Sequence, residues 1–230
     1  MSRLLVLTAH DARLQFRYGI YAAYAFVVLF YVLMLTAGRG FLPPWAVGLI
    51  VYTDPAAVGF FFLGALMMLE KGEGVRTALA ISPVTSAQYF AAKVLTLSSV
   101  AVVACAVLLL IFRDAPQPVL LLSSVGLTSI AFMGIGVPIA LRFRTVNAYL
   151  VGSSSYLIPV ITPAGLALLD PMPLWAALWP PVAQFRLILV STGYGSATPF
   201  EIAAMLLVAA FAAAGAAWWA VASLRKELGK

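Results

Sequence analysis

The chain has 230 residues, 63% of them hydrophobic and 10% charged, with a net charge of +6 at neutral pH and a mean hydropathy of +1.04. Soluble domains usually carry about 25% charged residues, and one core of this length hides too little apolar surface, so composition excludes a water-soluble fold and leaves lipid as the solvent. The basic residues are scattered between apolar runs and gather on no single face, which excludes nucleic acid as a partner.

Residues 1–19 precede the first apolar run. At about 100° per residue in a helix, Arg3, His10, Arg13 and Arg17 share one face, while Leu4, Leu7, Leu14 and Tyr18 share another. Such a helix would lie in the membrane interface with its basic face toward anionic headgroups. The plainer alternative is a charged tail that only fixes orientation. Asp11 falls on the apolar side and departs from the pattern. The stretch is long for the leader of a signal peptide and the run behind it has spanning length, so it reads as a retained first helix.

A helix needs roughly 20 apolar residues to cross the hydrocarbon core. Runs of that length fall at about 20–37, 51–69, 89–112, 119–141, 148–169 and 200–222. Between them lie Gly38-Arg39-Gly40 with Pro43-Pro44, the charged stretch 70–86, Arg113-Asp114 with Pro116, the stretch 142–147, and Asp170-Pro171. Six alternating spans put both termini on one side. With the termini inside, Arg3, Arg13, Arg17, Lys71, Arg76, Lys93, Arg142, Arg144, Arg225, Lys226 and Lys230 are cytoplasmic, against Arg39, Arg113 and Arg186 outside. That asymmetry predicts a multi-pass protein of the bacterial inner (plasma) membrane with cytoplasmic ends. Asp54 and Glu201 are expected at the outer interface, and with no ionisable residue at the centre of a span a proton-coupled carrier is disfavoured.

The single cysteine, Cys105, and the single histidine, His10, exclude an intrachain disulfide and a Cys- or His-ligated metal site within the chain. No GxxxxGK loop and no GxGxxG turn occurs, so this chain does not hydrolyse ATP in the usual way.

The loop after the second span, residues 71–87, is the most specific feature. Gly72 and Gly74 permit a tight reversal, residues 75–81 form a short amphipathic helix, and Pro83 stops it. Thr85-x-x-Gln88 is a capping-box pattern that opens the third span. A short helix held between glycine and proline is a good shape for pressing on a soluble partner.

Glu70, Glu73-Gly74, Leu79, Pro83-Val84 and Lys93 resemble the E-x-x-E-x-G-T-L…P-V…K stretch of permease subunits in type-2 ATP-binding-cassette (ABC) exporters. The chain departs from that pattern with Val75 where threonine is usual, and with Lys71 and Gly72 between the acids. Tyr52-Thr53-Asp54-Pro55 and the Glu-Lys-Gly-Glu-Gly loop are similar to small bacterial permeases of fluoroquinolone or multidrug export. The resemblance implies an all-α integral membrane fold: an N-terminal elbow helix over 1–19, six transmembrane helices, a coupling helix over 71–87 and a re-entrant outer segment over 170–199, all in one permease domain, 1–230. It also implies that Glu70, Glu73, Gly74, Arg76 and Pro83 transmit motion from a docked ATPase subunit. ATP and Mg would sit on that partner, and this chain would bind no cofactor.

Residues 170–199 are too long and too apolar for a plain loop. Leu174 to Trp179 and Phe185 to Val190 flank Pro180-Pro181, a pattern for two short helices dipping into the leaflet under cover of protein. Trp175 and Trp179 suit an interfacial belt. In the fifth span Ser153, Ser154, Ser155, Tyr156, Pro159 and Thr162 are costly toward lipid; Ser154, Ser155, Tyr156 and Thr162 line a substrate pathway or, as the duller alternative, pack against helices. Gly134 and Gly136 in the fourth span, and Ala209, Ala213 and Ala217 in the sixth, read as close helix contacts.

The leading functional reading is a transporter subunit that performs no chemistry. Two permease units, as a second copy or a sister chain, would enclose a pathway for a lipophilic or amphipathic compound such as a drug or lipid, driven by ATPase subunits. An intramembrane enzyme would need convergent acid, base or metal groups that the spans do not show. A non-catalytic assembly factor or channel subunit docking a cytoplasmic partner is the remaining alternative.

Overall fold

The computed structural model describes residues 3–38, 40–112 and 116–229, without the side chains of residues 76, 77, 111 and 112. The predicted breaks at Arg39 and at Arg113-Asp114 lie outside the described residues. Every regular element described is helical: α1 (Arg3–Arg17), α2 (Ile20–Ala37), α3 (Trp45–Ala57), a π-helical turn (Val58–Phe62), α4 (Leu63–Gly72), α5 (Val75–Ile81), α6 (Ser86–Phe112), α7 (Pro118–Ala140), α8 (Val146–Ile161), two 3₁₀ segments (Thr162–Leu168 and Leu174–Leu178), α9 (Pro180–Ser191) and α10 (Pro199–Glu227). Six helical stretches are long and apolar enough to span a bilayer: Ile20–Ala37, Trp45–Gly72, Ser86–Leu110, Pro118–Ala140, Val146–Leu168 and Pro199–Glu227. The molecule is an all-α integral membrane protein.

Local chemistry sets the boundaries. Gly19, at φ 72°, turns the chain from α1 into α2. The predicted capping box opens α6: Thr85 N–H donates to Gln88 Oε1 (3.1 Å) and Gln88 N–H to Thr85 Oγ1 (3.2 Å). A second capping box, Thr198 with Glu201, opens α10. The second span begins at Trp45, directly after Pro43-Pro44, six residues before the predicted start at Val51. It contains Pro55, and three residues later it widens into the π turn, the kind of local adjustment that a helix with an interior proline makes.

The core is built around α7, half or more of which is buried, as is the second span; α2, α8 and α10 are buried over only 11%, 22% and 17% of their spanning windows. Those three helices therefore form the perimeter and present apolar side chains outward, which lipid tolerates and water does not. Small residues bring backbones together where the core is tightest. Gly134 of α7 lies against the Ala216 backbone of α10, and Gly136 against the Gly59–Phe60 backbone in the π turn. Ala209 and Ala213 are buried on the same face of α10, so the glycines and these two alanines form close helix contacts as the sequence predicts. Gly64 of α4 leaves room for the Tyr149 ring of α8, whose hydroxyl donates to the Phe60 carbonyl.

The ends of the bundle differ. At the basal end α1 lies across α6, and Arg225 of α10 borders the same small hollow as residues 82–86, so both ends of the described chain sit there. At the distal end α9 is a 12-residue helix, too short to span and buried from Pro181 to Ser191. Phe185 stacks on Tyr52 of α3 (4.8 Å between ring centres), and Leu189 lies at Gly48, so α9 runs antiparallel to α3. Arg186 fastens it. Its guanidinium, 2% exposed, donates to the carbonyls of Ala167 (3.0 Å), Leu169 (3.1 Å) and Ser196 (2.9 Å) and to Asp170 Oδ1 (3.1 Å). Gly195, at φ 73°, passes this group where a Cβ would stand 2.7 Å from Nη1. Trp175 and Trp179 remain largely exposed.

Candidate functional site

The basal end carries the candidate site. α5 is a seven-residue helix projecting between the second and third spans. Gly74 starts it at φ 75°, a conformation L side chains rarely adopt. Ser82 closes it: its hydroxyl donates to the Leu79 carbonyl (3.0 Å) and accepts from Val84 N–H (3.3 Å). Pro83 accepts at its carbonyl from Arg3 Nη1 of α1 (3.3 Å). Ala78, Ala80, Ile81 and Pro83 face outward, and Ile81 is 88% exposed.

Beneath α5 a buried polar cluster borders a hollow of about 260 Å³. Lys93 of α6 places its ammonium 2.6 Å from Asp11 Oδ1 of α1 and 2.6 Å from Glu70 Oε1 of α4. Asp11 Oδ2 accepts from Gln15 Nε2 (2.7 Å) and Thr96 Oγ1 (2.5 Å), and Glu70 Oε2 accepts from the Tyr89 hydroxyl (2.5 Å). All four carboxylate oxygens are thus engaged. Asp11, Gln15, Glu70, Tyr89, Lys93 and Thr96 are each less than 9% exposed. Two carboxylates share one ammonium, which also lies over the Tyr89 ring (4.9 Å). A buried ion pair is weak evidence for net stability, but losing one partner leaves a charge stranded in a low-dielectric site. The cluster therefore holds α1, the end of α4 and the start of α6 in one arrangement.

The predicted coupling residues divide. Glu73, Gly74 and Pro83 are exposed, and Glu73 Oε1 pairs with Arg17 Nη2 (2.7 Å) across a solvated surface. Glu70 is instead buried, 2% exposed, and its carboxylate accepts from Lys93 and Tyr89. The Arg76 side chain lies outside the described residues. Asp11 and Lys93 were missed as a pair. Asp11 breaks the amphipathic face of α1 because it is turned inward to Lys93, and Lys93, counted among the cytoplasmic charges, is a buried counter-ion. The signal in the sequence was that single misplaced acid.

The expected pathway residues of the fifth span are not gathered into a cavity of this chain. Ser155, Tyr156 and Thr162 face outward and Ser154 is half-buried. The hydroxyls of Ser154 and Thr162 donate back to the carbonyls of Leu150 (3.1 Å) and Ile158 (2.6 Å). Tyr156 lies under the Arg142 guanidinium (5.7 Å). Ser153 is the member that packs inside.

Asp54 departs from expectation. Because the second span starts at Trp45, Asp54 lies roughly 14 Å along it at 1.5 Å per residue, within a hydrocarbon core about 30 Å thick. It is 6% exposed and accepts from the Tyr24 hydroxyl of α2; among the described residues it has no ion-pair partner. This corrects the expectation of an outer-interface position and of spans free of central ionisable groups: the second span starts six residues before Val51, which carries Asp54 inward. Glu201 does cap the start of α10.

Fold and composition thus define a multi-pass, all-helical membrane protein. Over 181 residues, 78% of the chain, it is 25% identical to a fluoroquinolones export permease protein of Mycobacterium tuberculosis, found in two strains, and the match covers 73% of that permease. The chain is a distant relative of that protein and resembles fluoroquinolone export permeases. No family model matches the chain, and no solved structure matches it.

Proposed function

We propose that the chain is the transmembrane subunit of an ATP-driven exporter of lipophilic or amphipathic compounds. Two permease units, a second copy or a sister chain, enclose the pathway, and separate ATPase subunits that hold ATP and Mg dock at the basal end. The chain itself does no chemistry and lies in a bacterial inner membrane with its basal end in the cytoplasm. The observation that carries this reading is the pairing of an exposed face on α5 with a buried polar anchor directly beneath it. Ile81 and its neighbours offer a partner an apolar surface, and Glu73 and Arg17 border it with charge. Asp11, Glu70 and Lys93 tie the end of α4, from which α5 leads off, to α1 and α6, so a displacement of α5 carried into α4 would reach two further helices.

Two points support a paired arrangement. Six spans are few for a closed pathway. The outward polar face of α8, at Ser155, Tyr156 and Thr162, is costly toward lipid and suits a protein surface or an aqueous path.

Affinity purification in mild detergent tests this. An ATPase bearing GxxxxGK[ST] should remain bound, and its hydrolysis should rise with transported compound. Recovery of the chain with no ATPase at all, from cells that express its neighbours, would reject the reading in favour of an assembly or channel subunit. Glu73→Ala should then reduce stimulation of hydrolysis and transport in vesicles while the chain stays folded.

A further inference from the structure

A cavity of about 490 Å³ opens at the distal end, between the segment 170–178 and α10. Its size is that of sites for drug-sized molecules, about 300–1,000 Å³. Met205 and Arg186 are buried at its base, and Leu174, Leu178 and Phe200 stand exposed along its walls. Three ionisable side chains line it: Asp170, Arg186 and Glu201. Both terminal nitrogens of Arg186 are engaged by three carbonyls and by Asp170 Oδ1, so it offers no free Nη fork to an anion. Glu201 spends Oε2 on the Thr198 amide (2.6 Å) and hydroxyl (2.9 Å), and among the described residues it has no ion-pair partner. Two carboxylates against one cation leave the cavity with a net negative charge and an apolar wall.

We infer that this cavity is a binding site for lipophilic cations at the distal face. The wall takes the apolar body of the ligand, and Glu201, with the outer part of Asp170, faces its positive charge. The same field repels anions of equal size. The inference deepens the exporter reading by naming a substrate class and a place for it near the exit, and rests on that reading for its role in transport; binding itself does not require the ATPase.

The test uses the full chain in nanodiscs of phosphatidylcholine, with tetraphenylphosphonium as the probe and tetraphenylborate as its anionic match, each compared with empty nanodiscs. Tetraphenylphosphonium should bind saturably beyond the lipid background. Glu201→Gln keeps the capping geometry, since glutamine serves at that position, and should weaken binding about two- to fivefold by removing one solvent-accessible charge from the cavity mouth. Ala204→Trp, which fills the cavity from α10, should abolish it, and tetraphenylborate should show no saturable excess. Undiminished binding to either variant, or saturable binding of the anion to the same site, overturns the inference. If Ala204→Trp fails to fold, the Glu201→Gln and anion arms decide alone. The exporter reading is judged separately by ATPase co-purification: binding without an ATPase leaves the site and removes the transporter, and an ATPase without binding does the reverse.

Discussion

Among the described residues Lys93 of α6 is the one cation between Asp11 and Glu70, and these two acids, on α1 and α4, reach it at hydrogen-bonding distance. Lys93→Met should strand both acids and cost about 3–5 kcal/mol, seen as a clear fall in melting temperature in detergent. Replacing all three by apolar residues of similar volume (Asp11→Leu, Glu70→Met, Lys93→Met) should recover much of that loss, because no charge is then left without its partner. If the triple variant is no more stable than Lys93→Met, the cluster does not act as a unit. The surface pair behaves differently. Arg17 and Glu73 have side chains 65% and 41% exposed, and such pairs contribute about 0–1 kcal/mol, so Glu73→Ala should leave the melting temperature nearly unchanged even where it uncouples ATPase stimulation. A large thermal shift in Glu73→Ala would mean the residue supports the fold and would remove it as a specific probe of coupling.

At the scale of elements, close packing of α4 on α8 rests on the missing side chain of Gly64, where a Cβ would run into the Tyr149 ring. Gly64→Ala should therefore destabilise by about 1–3 kcal/mol through overpacking, and Tyr149→Leu in the same chain should relieve part of the penalty. An additive double variant would show that the two do not meet. Elements of this kind were partly legible beforehand. Hydropathy located all six spans, because lipid demands about 20 apolar residues in each, and Thr85-x-x-Gln88 located the start of α6 to the residue. The second span was misjudged because Trp45 to Ile50 follow a proline pair, and prolines mark helix starts as readily as breaks. That error displaced Asp54, and the π turn after Pro55 has no periodic signal of its own. Apart from the misplaced Asp11, the buried cluster leaves no sign in the sequence, for a different reason. Its members come from positions 11, 70 and 93, and helical periodicity reports which face a residue shares with its neighbours, not which distant face it meets.

At the scale of the whole molecule, the arrangement has a direction that chemistry can read. Cys105 is buried, so in a Cys105→Ala background a new thiol is the only one to label. Ile81→Cys should react with a membrane-impermeant maleimide only from the cytoplasmic side, and Ser196→Cys only from the opposite side; reaction of both from one side would break the six-span topology, and reversal of the two would invert the proposed orientation. The distal segment is held in a way that matters here. Every polar acceptor of Arg186 lies between residues 167 and 170 or at 196, whereas α9 meets α3 through Phe185 on Tyr52 and Leu189 at Gly48. Ala167 belongs to the fifth span, so Arg186, with the Tyr194 hydroxyl on the Leu168 carbonyl, ties the distal cap to that span by polar bonds, while its contacts with α3 are greasy. A cap leashed to one helix and only resting on another should travel with the fifth span when the two part company.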